Sequence, residues 1–495
     1  MKDNIGRLIL SRLLTDRDRP AIGDDASVLT RGETLTAVRE QAAVFQDAGI
    51  GADSFVVVLG GRGIWYWIDV LALWVLGAKA ICVEATIEDA HGASVLEMTD
   101  ARFVCSDGVD LPPCFNGLTE IPKASVENGR GASVALADFP FANDEDLPDL
   151  AAIIFTSGTT GLPKGVPLSH RALMINALAT CHTLNLRESD RLFTATPYRF
   201  ISSISHFLVT LLSRGAYFGV EHKIMIKDLL DLLTRLEITA FGGSPFHLQF
   251  LAMAGKERLP HLRWAMSSGD HLRTTVIDKL SESFDDLELH VVYGMAELGG
   301  RFCALPPDHL ENKKGSVGFP IAGLEVTVRD ETGKPCPPGE IGDVFVRGHI
   351  DFEGYIGRDD ENARVLTPHG FLNGDKGYLD DDGFLFLSGR SDSVFKRSGL
   401  KVSAQVIADA LINLDTVSDA FVTGQDDMVE GTVPVAYIAW RDNPLSDADL
   451  LRALRETLAV NHLPKNIVSV PEVPRTGSGK VDRRRLREVL DGEGS

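Results

Sequence analysis

The first third of the chain alternates segments of helical periodicity with short apolar runs. Apolar residues spaced three or four apart predict helices, and β-branched runs bounded by glycine predict buried strands. In chain order the predicted elements are a helix over 35–48, a strand over 55–59, a helix over 69–76 and a strand over 79–83. Strand–helix–strand order with short connections is typical of a parallel sheet in a layered α/β fold.

The same alternation returns in the second third, after an acidic, proline-containing segment at 143–149 that reads as a linker. The predicted elements are strands over 152–155, 216–220, 239–241 and 289–292 and helices over 171–185 and 227–236. From about residue 315 to 390, short extended runs separated by Gly, Pro and Asp predict an antiparallel β unit. The remainder mixes helices and strands and predicts a small α+β module.

Composition narrows the classes of protein that this pattern could build. The chain has 495 residues, 44% hydrophobic, and a formal net charge of −21. An acidic chain does not hold nucleic acid or an anionic membrane by bulk charge. The apolar stretch 64–83 is interrupted by Asp69 and Lys79, which favours a buried helix and strand over a membrane span.

The cysteines and the N-terminus indicate a cytoplasmic protein. None of the six cysteines has CxxC spacing, so neither a zinc site nor a disulfide framework is predicted, and a reducing compartment is expected. The first twenty residues mix basic and acidic side chains through a short apolar stretch, which predicts an amphipathic helix and not a signal peptide.

The strongest chemical signal is the sequence TSGTTGLPKG at 156–165. Its three glycines allow backbone N–H groups to turn toward an anion, and its hydroxyls and Lys164 complete a phosphate cradle. The spacing is not that of a Walker loop. A strand before it and an amphipathic helix after it favour a nucleotide site over an ordinary surface loop.

Three further motifs carry groups suited to a nucleotide. Tyr293 and Glu297 follow a strand and offer an aromatic face and a carboxylate for Mg²⁺. Asp375 and Arg390 lie in Asn-Gly-Asp and Gly-Arg-Ser-Asp sequences, and Lys480 lies on a Gly-Ser-Gly turn. Taken singly, these motifs are equally typical of an ordinary turn, a hairpin with Asx-turns and a solvated basic tail.

In this order and spacing, the four motifs resemble the adenylate-forming superfamily of acyl-CoA synthetases, adenylation domains and luciferases. The resemblance covers nearly the whole chain. It implies an α/β fold with a large N-terminal domain over 1–391, built of parallel α/β subdomains and a β-rich subdomain. It also implies a small mobile α+β domain over 392–495, and a carboxylic acid that is activated by ATP as an acyl-adenylate.

The resemblance assigns roles by position in this sequence. It places the phosphates of ATP at Thr156, Ser157, Gly158, Thr159, Thr160 and Lys164, adenine at Gly269 and Tyr293, ribose at Asp375 and Arg390, Mg²⁺ at Glu297, and the hinge at Asp392. Lys480 bridges the substrate carboxylate and the α-phosphate, and with Glu297 and Thr160 forms the expected catalytic set.

The acid pocket of the family lies between the segment 197–206, the region after Gly243 and the turn near Tyr293. The residues nominated for it here are Phe200, Ser203, His206, Phe246 and Met295. Their aromatic and thioether character predicts a mostly apolar pocket for an aryl or compact cyclic acid. Phe200 stands where acyl-CoA synthetases often have a histidine, and an ordinary core role for Phe246, Met295 or His206 is the alternative.

The second substrate is expected to be CoA, with an amine or the phosphopantetheine thiol of a carrier protein as alternatives. The segment 402–408 lacks the proline and both glutamates that the family normally has there, with Val406 and Ala408 at the carboxylate positions. This departure keeps the amide-forming route open. A non-catalytic nucleotide-binding protein with the same fold is the alternative of another class, against which Lys480, Glu297 and Asp375 all argue.

Overall fold

The structure is a computed structural model, and three sheets organise it. It describes residues 4–106, 108–125, 135–139, 149–156, 163–220, 224–349, 352–390, 394–397, 400–427, 430–441, 443–475, 481 and 485–486. The predicted α/β architecture with a smaller C-terminal α+β region is confirmed. The linker predicted at 143–149 lies outside the described residues except for its last residue.

The segment before residue 170 builds the first sheet and contributes two strands, β1 and β2, to the edge of the second. Its helices are α1 Ile5–Leu13, α2 Arg31–Asp47, α3 Ile64–Val75 and α4 Asp89–Thr99. Its strands are β1 Pro20–Gly23, β2 Val28–Thr30, β3 Phe55–Leu59, β4 Lys79–Val83, β5 Phe103–Cys105, β6 Thr119–Glu120, β7 Leu150–Thr156 and β8 Lys164–Ser169. Strands β6-β5-β3-β4-β7-β8 pair in that order, all parallel except β8.

Strand β8 is an element that the sequence pattern did not predict. It pairs antiparallel with β7, so the 156–165 loop joins two strands and is not followed directly by a helix. Pro167 made this segment a poor strand candidate because proline cannot donate to a ladder. The strand forms because β8 is at the edge of its sheet, where one row of backbone groups needs no partner.

The segment 170–305 forms the parallel part of a second, larger sheet. Its helices are α5 His170–Leu184, α6 Ile201–Leu212, α7 Ile226–Arg235, α8 Pro245–Arg258 and α9 Thr274–Ser283. Its strands are β9 Arg191–Thr194, β10 Ala216–Gly219, β11 Ala240–Gly243, β12 Trp264–Ser267, β13 Glu288–Met295 and β14 Gly300–Leu305. Strands β9 to β13 are parallel, whereas β14 is antiparallel to β13.

The β-rich segment up to residue 390 continues this second sheet. It contains α10 Pro307–Leu310, β15 Ser316–Pro320, β16 Leu324–Arg329, β17 Gly342–Gly348, α11 Asp359–Val365, β18 Leu366–Thr367, β19 Gly370–Leu379 and β20 Leu385–Arg390. The strands are antiparallel, as predicted. They are bonded to β14 through β15, so the antiparallel unit extends the parallel sheet instead of standing apart from it.

The C-terminal segment has its own sheet and its own apolar core. Its elements are β21 Val394–Arg397, β22 Leu400–Ser403, α12 Ala404–Ile412, β23 Val417–Asp427, β24 Gly431–Trp440, α13 Asp447–Leu454 and β25 Asn466–Ser469. The strands pair in the order β22-β21-β24-β23, with β25 against β24. The predicted hinge residue Asp392 lies outside the described residues.

The main core lies where α3 packs between the first two sheets. The ring of Trp67 stacks on Phe207 with centroids 4.1 Å apart; Tyr217 packs against both rings, and Tyr198 packs against Trp67. Helix α3 is buried on nearly every face, and its one acidic residue, Asp69, is ion-paired with Arg62. Among the described residues, no helix combines the length and the apolar character needed to cross a bilayer.

Candidate active site

The site is built where the tips of both large sheets meet helix α11. Thr156 and Lys164 are direct cross-strand partners, so the two ends of the phosphate-loop motif close on each other. Four of its nominated residues, Ser157, Gly158, Thr159 and Thr160, lie outside the described residues. Their roles stay predictions.

Lys164 is held by two groups that the sequence analysis did not nominate. Its ammonium forms an ion pair with Glu361 of α11 and lies 5.0 Å from the centroid of the Tyr355 ring. The segment carrying Tyr355 is anchored to β8, because the Ile356 N–H donates to the Gly165 carbonyl over 3.1 Å. A carboxylate and an aromatic face thus hold the lysine charge at the mouth of the loop.

Glu297 is joined to this cluster through the same tyrosine. The Tyr355 hydroxyl donates to Glu297 Oε1 over 2.6 Å, and Glu297 is buried in the single turn that follows β13. The ring of Tyr355 therefore contacts the phosphate-loop lysine while its hydroxyl orients the nominated Mg²⁺ carboxylate. Carboxylate oxygen is the donor type that Mg²⁺ prefers, so Glu297 fits the ion chemically.

A second cluster joins Tyr293 to Asp375 across β13 and β19. The Tyr293 hydroxyl donates to Asp375, and Asn373 donates to the Tyr293 oxygen over 2.9 Å. Asn373 Oδ1 also accepts the Asp375 backbone N–H over 2.9 Å, forming an Asx-turn that fixes the carboxylate. Arg390 is the cross-strand partner of Asp375, so the backbones of the two residues lie side by side.

The backbone at Gly269 is arranged for close approach by a ligand. Gly269 has φ +90°, and no atom lies within 4 Å of the position that a Cβ would take. The conformation favours glycine, and the segment follows β12 at the carboxyl end of the parallel strands, where α/β sheets bind ligands. This geometry is compatible with the predicted adenine contact.

The nominated acid-pocket residues are divided between a buried and an exposed set. Ser203 and His206 are buried on α6, where Ser203 donates to the Thr196 carbonyl over 2.6 Å. Met295 is half-buried at the end of β13, and Phe200 precedes α6 with the Arg199 guanidinium above its ring. Phe246 is 43% exposed and packs on Phe250 with ring centroids 4.9 Å apart.

His206 is a neutral group enclosed by the sheet. Its Nδ1 lies 3.0 Å from Thr194 Oγ1, and a Cβ on Gly242 would lie 2.5 Å from its Nε2. Burial lowers the pKa of His206 well below its ordinary value, and the positive charge of Arg301 lowers it further. The imidazole is therefore uncharged at neutral pH.

The C-terminal segment contacts the edge of this site through charged groups. Asp419 of β23 accepts from Arg273, before α9, over 2.8 Å and from Arg475 over 2.6 Å. The Arg475 guanidinium is also 3.9 Å from the carboxylate of Asp270, the neighbour of Gly269. The backbones of Arg475 and Val481 form an antiparallel β-bridge, so the two ends of the turn that holds Lys480 are paired. Lys480 itself lies outside the described residues.

Fold and site together define a nucleotide-dependent ligase in which a small C-terminal unit contacts a larger α/β body. Comparison with family models supports this class directly. The AMP-binding enzyme model matches residues 12–356, and the model of the AMP-binding enzyme C-terminal domain matches residues 407–480. The chain belongs to the AMP-binding enzyme family. It is an ATP-dependent, AMP-forming carboxylic acid ligase, as the motifs predicted.

Individual relatives agree with this assignment. The chain is 27% identical over 480 residues to the 2-succinylbenzoate–CoA ligase of Geobacillus kaustophilus, covering 96% of this chain and 95% of that protein. It is 30% identical over 348 residues to the ligase of the same name from Bacillus velezensis, 70% of each chain. A Bacillus subtilis o-succinylbenzoate CoA synthetase structure with its acyl-adenylate has the same fold, with TM-score 0.83, 23% identity and coverage of 97% of this chain and 98% of that chain.

Proposed function

We propose that the enzyme activates an aryl carboxylic acid with ATP and transfers the acyl group to the thiol of CoA. The observation that supports it most is the pair of clusters at one site, Lys164–Tyr355–Glu297 and Tyr293–Asp375. Each cluster includes a residue of β13 or of the turn after it, and together they contain the groups expected for triphosphate, metal and ribose. The aryl acid and CoA also agree with the names of the curated relatives.

The proposed first half-reaction joins two anions. A carboxylate oxygen of the acid attacks the α-phosphorus of ATP, the new O–P bond forms, and the bond to pyrophosphate breaks. Lys164 binds the departing phosphates, and Lys480 neutralises the charge that develops between the carboxylate and the α-phosphate. When bound at Glu297, Mg²⁺ supplies Lewis-acid neutralisation of phosphate charge. Asp375 and Tyr293 hold the nucleoside in place.

In the second half-reaction the thiol sulfur of CoA attacks the acyl carbonyl carbon. The C–S bond forms, the bond between carbonyl carbon and AMP oxygen breaks, and AMP leaves while the thiol proton is released. The buried environment at His206 excludes water from the activated acyl group, which favours thiolysis over hydrolysis.

This function is tested by measuring pyrophosphate release that depends on the carboxylic acid substrate, for wild type and for Lys480→Ala. Removal of one electrostatic catalytic group typically costs about 10²–10³-fold in rate, so release is expected to fall at least that far while ATP still binds. Lys465→Ala is the matched control, because Lys465 is a C-terminal lysine paired with Asp427 and Glu430 and expected to leave the rate unchanged. Near wild-type release by Lys480→Ala would refute the proposed mechanism.

An amine or a carrier-protein thiol is the second candidate for the acceptor. The observation that favours it is on α12, where Val406 is 42% exposed at a position that the family normally fills with a carboxylate. Incubation of the enzyme with acid, ATP and equal concentrations of CoA, amines and a phosphopantetheinylated carrier, with products identified by mass, separates the three acceptors. If the only product is an amide, an amine would replace CoA as the proposed acceptor.

A further inference from the structure

One strongly basic side chain near the acid pocket has no part in the reaction described so far. Arg301, the second residue of β14, is only 4% exposed. Its backbone is fixed by Asn176 of α5, whose side chain donates to the Arg301 carbonyl over 2.6 Å and accepts the Arg301 N–H over 3.2 Å. The strand therefore carries the guanidinium into the protein at a defined point between α5 and α6.

The guanidinium has no counter-ion within the described part of the chain. No Asp or Glu there lies within ion-pair distance of it, and of its five N–H donors only Nη1 has a partner, Ser205 Oγ at 2.6 Å. Burial lowers the pKa of Arg301 to about 9, and only Cys181 acts in the opposite direction. A buried, unpaired charge is costly to keep in a folded protein, which points to an anionic group that arrives from outside.

A second unsatisfied group belongs to the residue that follows Ser205, the hydrogen-bond partner of this charge. Among the described residues, Nε2 of His206 has no hydrogen-bond partner, although its atom is buried against Gly242. In the tautomer whose Nδ1 accepts from the Thr194 hydroxyl, the neutral ring carries its proton on Nε2 and can donate there. His206 and Ser205 are consecutive on α6, and the charge of Arg301 is close enough to affect the His206 pKa.

The strand pairing associates these donors with the predicted acid pocket and not with the predicted nucleotide site. Arg301 pairs with Gly294 and Gly300 with Met295, so Arg301 lies directly across the strand pair from the predicted acid-pocket turn. Ser203 and His206 reach the same region from α6. Glu297 lies in the turn between the two strands, where the metal and phosphates are expected.

We propose that Arg301, with Ser205 and His206, binds a second carboxylate of the acid substrate, so that the enzyme selects aryl dicarboxylic acids. This inference rests on the proposed function and specifies the substrate class. One carboxylate is adenylated, while the other pairs with the guanidinium at the closed end of the pocket. Bidentate pairing of guanidinium and carboxylate supplies both the counter-ion and the missing acceptors. The substrate named for the relatives, 2-succinylbenzoate, has two carboxylates.

The test compares matched acids in ATP–pyrophosphate exchange. The diacid 2-succinylbenzoate and the monoacid 4-oxo-4-phenylbutanoate differ only in the ring carboxylate, and further aryl diacid and monoacid pairs extend the panel. Wild type is expected to prefer the diacid. Arg301→Gln is expected to lower kcat/KM for the diacid by about 100-fold, mainly through KM, because truncating one side of a buried charged pair removes most of its affinity. The monoacid rate and the KM for ATP stay within about threefold.

Two further measurements separate specificity from folding. Arg301→Lys keeps the charge and is expected to recover part of the diacid preference that Arg301→Gln loses. In thermal melts with AMP present, the diacid is expected to raise the Tm of wild type but not that of Arg301→Gln. Since the free protein buries an unpaired charge, Arg301→Gln without ligand is expected to melt no lower than wild type.

The outcomes distinguish this inference from the proposed function. If no acid of the panel supports ATP–pyrophosphate exchange, the proposed function itself is contradicted. Exchange that prefers monoacids in wild type, or equal losses for both acids in Arg301→Gln, would overturn the role of Arg301 while leaving the ligase function standing. A rise in the KM for ATP in Arg301→Gln would assign the guanidinium to the nucleotide and would also overturn it.

Discussion

At the scale of single residues, the cluster of Tyr293, Asn373 and Asp375 shows how neighbouring side chains fix the position of a carboxylate. Asp375 is oriented by the Tyr293 hydroxyl and by the Asx-turn of Asn373. Tyr293 and Asp375 were predictable from the sequence because each lies in a recognisable motif. The role of Asn373 was not predictable, because the reach of its amide to a tyrosine 80 residues away appears only in three dimensions.

We expect Asp375→Asn to raise the KM for ATP by about 10-fold or more, since hydrogen bonds to a charged group contribute about 1.5–3 kcal/mol. Tyr293→Phe should give a smaller increase because it leaves the carboxylate in place. The measurement is initial-rate pyrophosphate release against ATP concentration. Asp343→Asn is the matched control, because Asp343 pairs with Lys376 on the same sheet away from the cluster. An unchanged KM in Asp375→Asn would remove Asp375 from the ribose site.

Buried histidines give the protein a predicted acid sensitivity. Burial lowers the pKa of His170 and of His290 to about 4, and both side chains are 1% exposed. Below pH 6.5 the unfolded chain binds protons at these residues while the folded protein does not, so the free energy of unfolding falls as the pH drops from 6.5 toward 4. Each residue lowers it by up to about 3 kcal/mol at the acid end of that window.

Thermal unfolding between pH 7.5 and pH 4.5 tests this. The Tm is expected to be flat near neutrality and to decrease through the acid window. His290→Gln should reduce the slope of that decrease, whereas His261→Gln, at an exposed histidine, should reproduce the wild-type slope. If the His290→Gln slope equals that of wild type, the buried imidazole is already protonated in the folded state and its assignment is wrong.

At the scale of elements, helix α11 and the β7–β8 hairpin share the phosphate-loop lysine. Without nucleotide, the charge of Lys164 is already neutralised by Glu361. The triphosphate must therefore compete with a carboxylate for the same ammonium. Neither Glu361 nor Tyr355 was nominated from the sequence, because an acidic residue in the first turn of a helix ordinarily serves only the helix dipole.

Removal of the competing carboxylate is expected to strengthen ATP binding. Glu361→Gln should lower the Kd for ATP by about 3- to 10-fold, because ATP then no longer has to break the ion pair between Lys164 and Glu361. A tenfold change in Kd corresponds to about 1.4 kcal/mol. Isothermal titration measures this, with Asp360→Asn in the same exposed turn as control. Weaker ATP binding by Glu361→Gln would indicate that Glu361 helps to hold the nucleotide or its metal.

The order of elements was largely predictable, but their pairing was not. Periodicity located α2, β3 and β4 to within a few residues, because each buries an uninterrupted apolar face. The joining of β15 to β14 was missed, because pairing between strands is set by long-range contacts that no local pattern records. Arg301 was missed for a related reason, since a lone arginine in a strand resembles any surface arginine until its burial is known.

At the scale of the whole molecule, the position of the C-terminal unit depends on a charge cluster. Asp419 neutralises Arg273 from the large body and Arg475 from the C-terminal segment. Arg475 is five residues from Lys480 and approaches Asp270 beside the adenine segment. Arg475, which precedes the turn that carries Lys480, is therefore held close to the segment predicted to contact adenine.

Loss of the shared carboxylate is expected to disfavour this arrangement. In Asp419→Asn the guanidinium groups of Arg273 and Arg475 lose the carboxylate that they share, and the adenylation rate should fall by about 10-fold, which corresponds to about 1.4 kcal/mol. Formation of the thioester from isolated acyl-adenylate and CoA should not slow. Pre-steady-state pyrophosphate release and thioester formation measure the two steps, with Asp427→Asn as the control within the C-terminal sheet. Equal slowing of both steps would contradict a role specific to one arrangement.

The β19–β20 hairpin has a thermodynamic consequence for the catalytic cycle. Asp375 and Arg390 are cross-strand partners on it, and β21 of the C-terminal sheet begins four residues after Arg390. The proposed ribose contact at Asp375 and the start of the C-terminal sheet therefore share one short piece of backbone. Any coupling through it obeys linkage, so an arrangement of the C-terminal sheet that tightens ATP is itself favoured by ATP, by the same factor. With the mobile C-terminal unit that the sequence predicts, each nucleotide state would then select the next arrangement of the enzyme without a separate sensor.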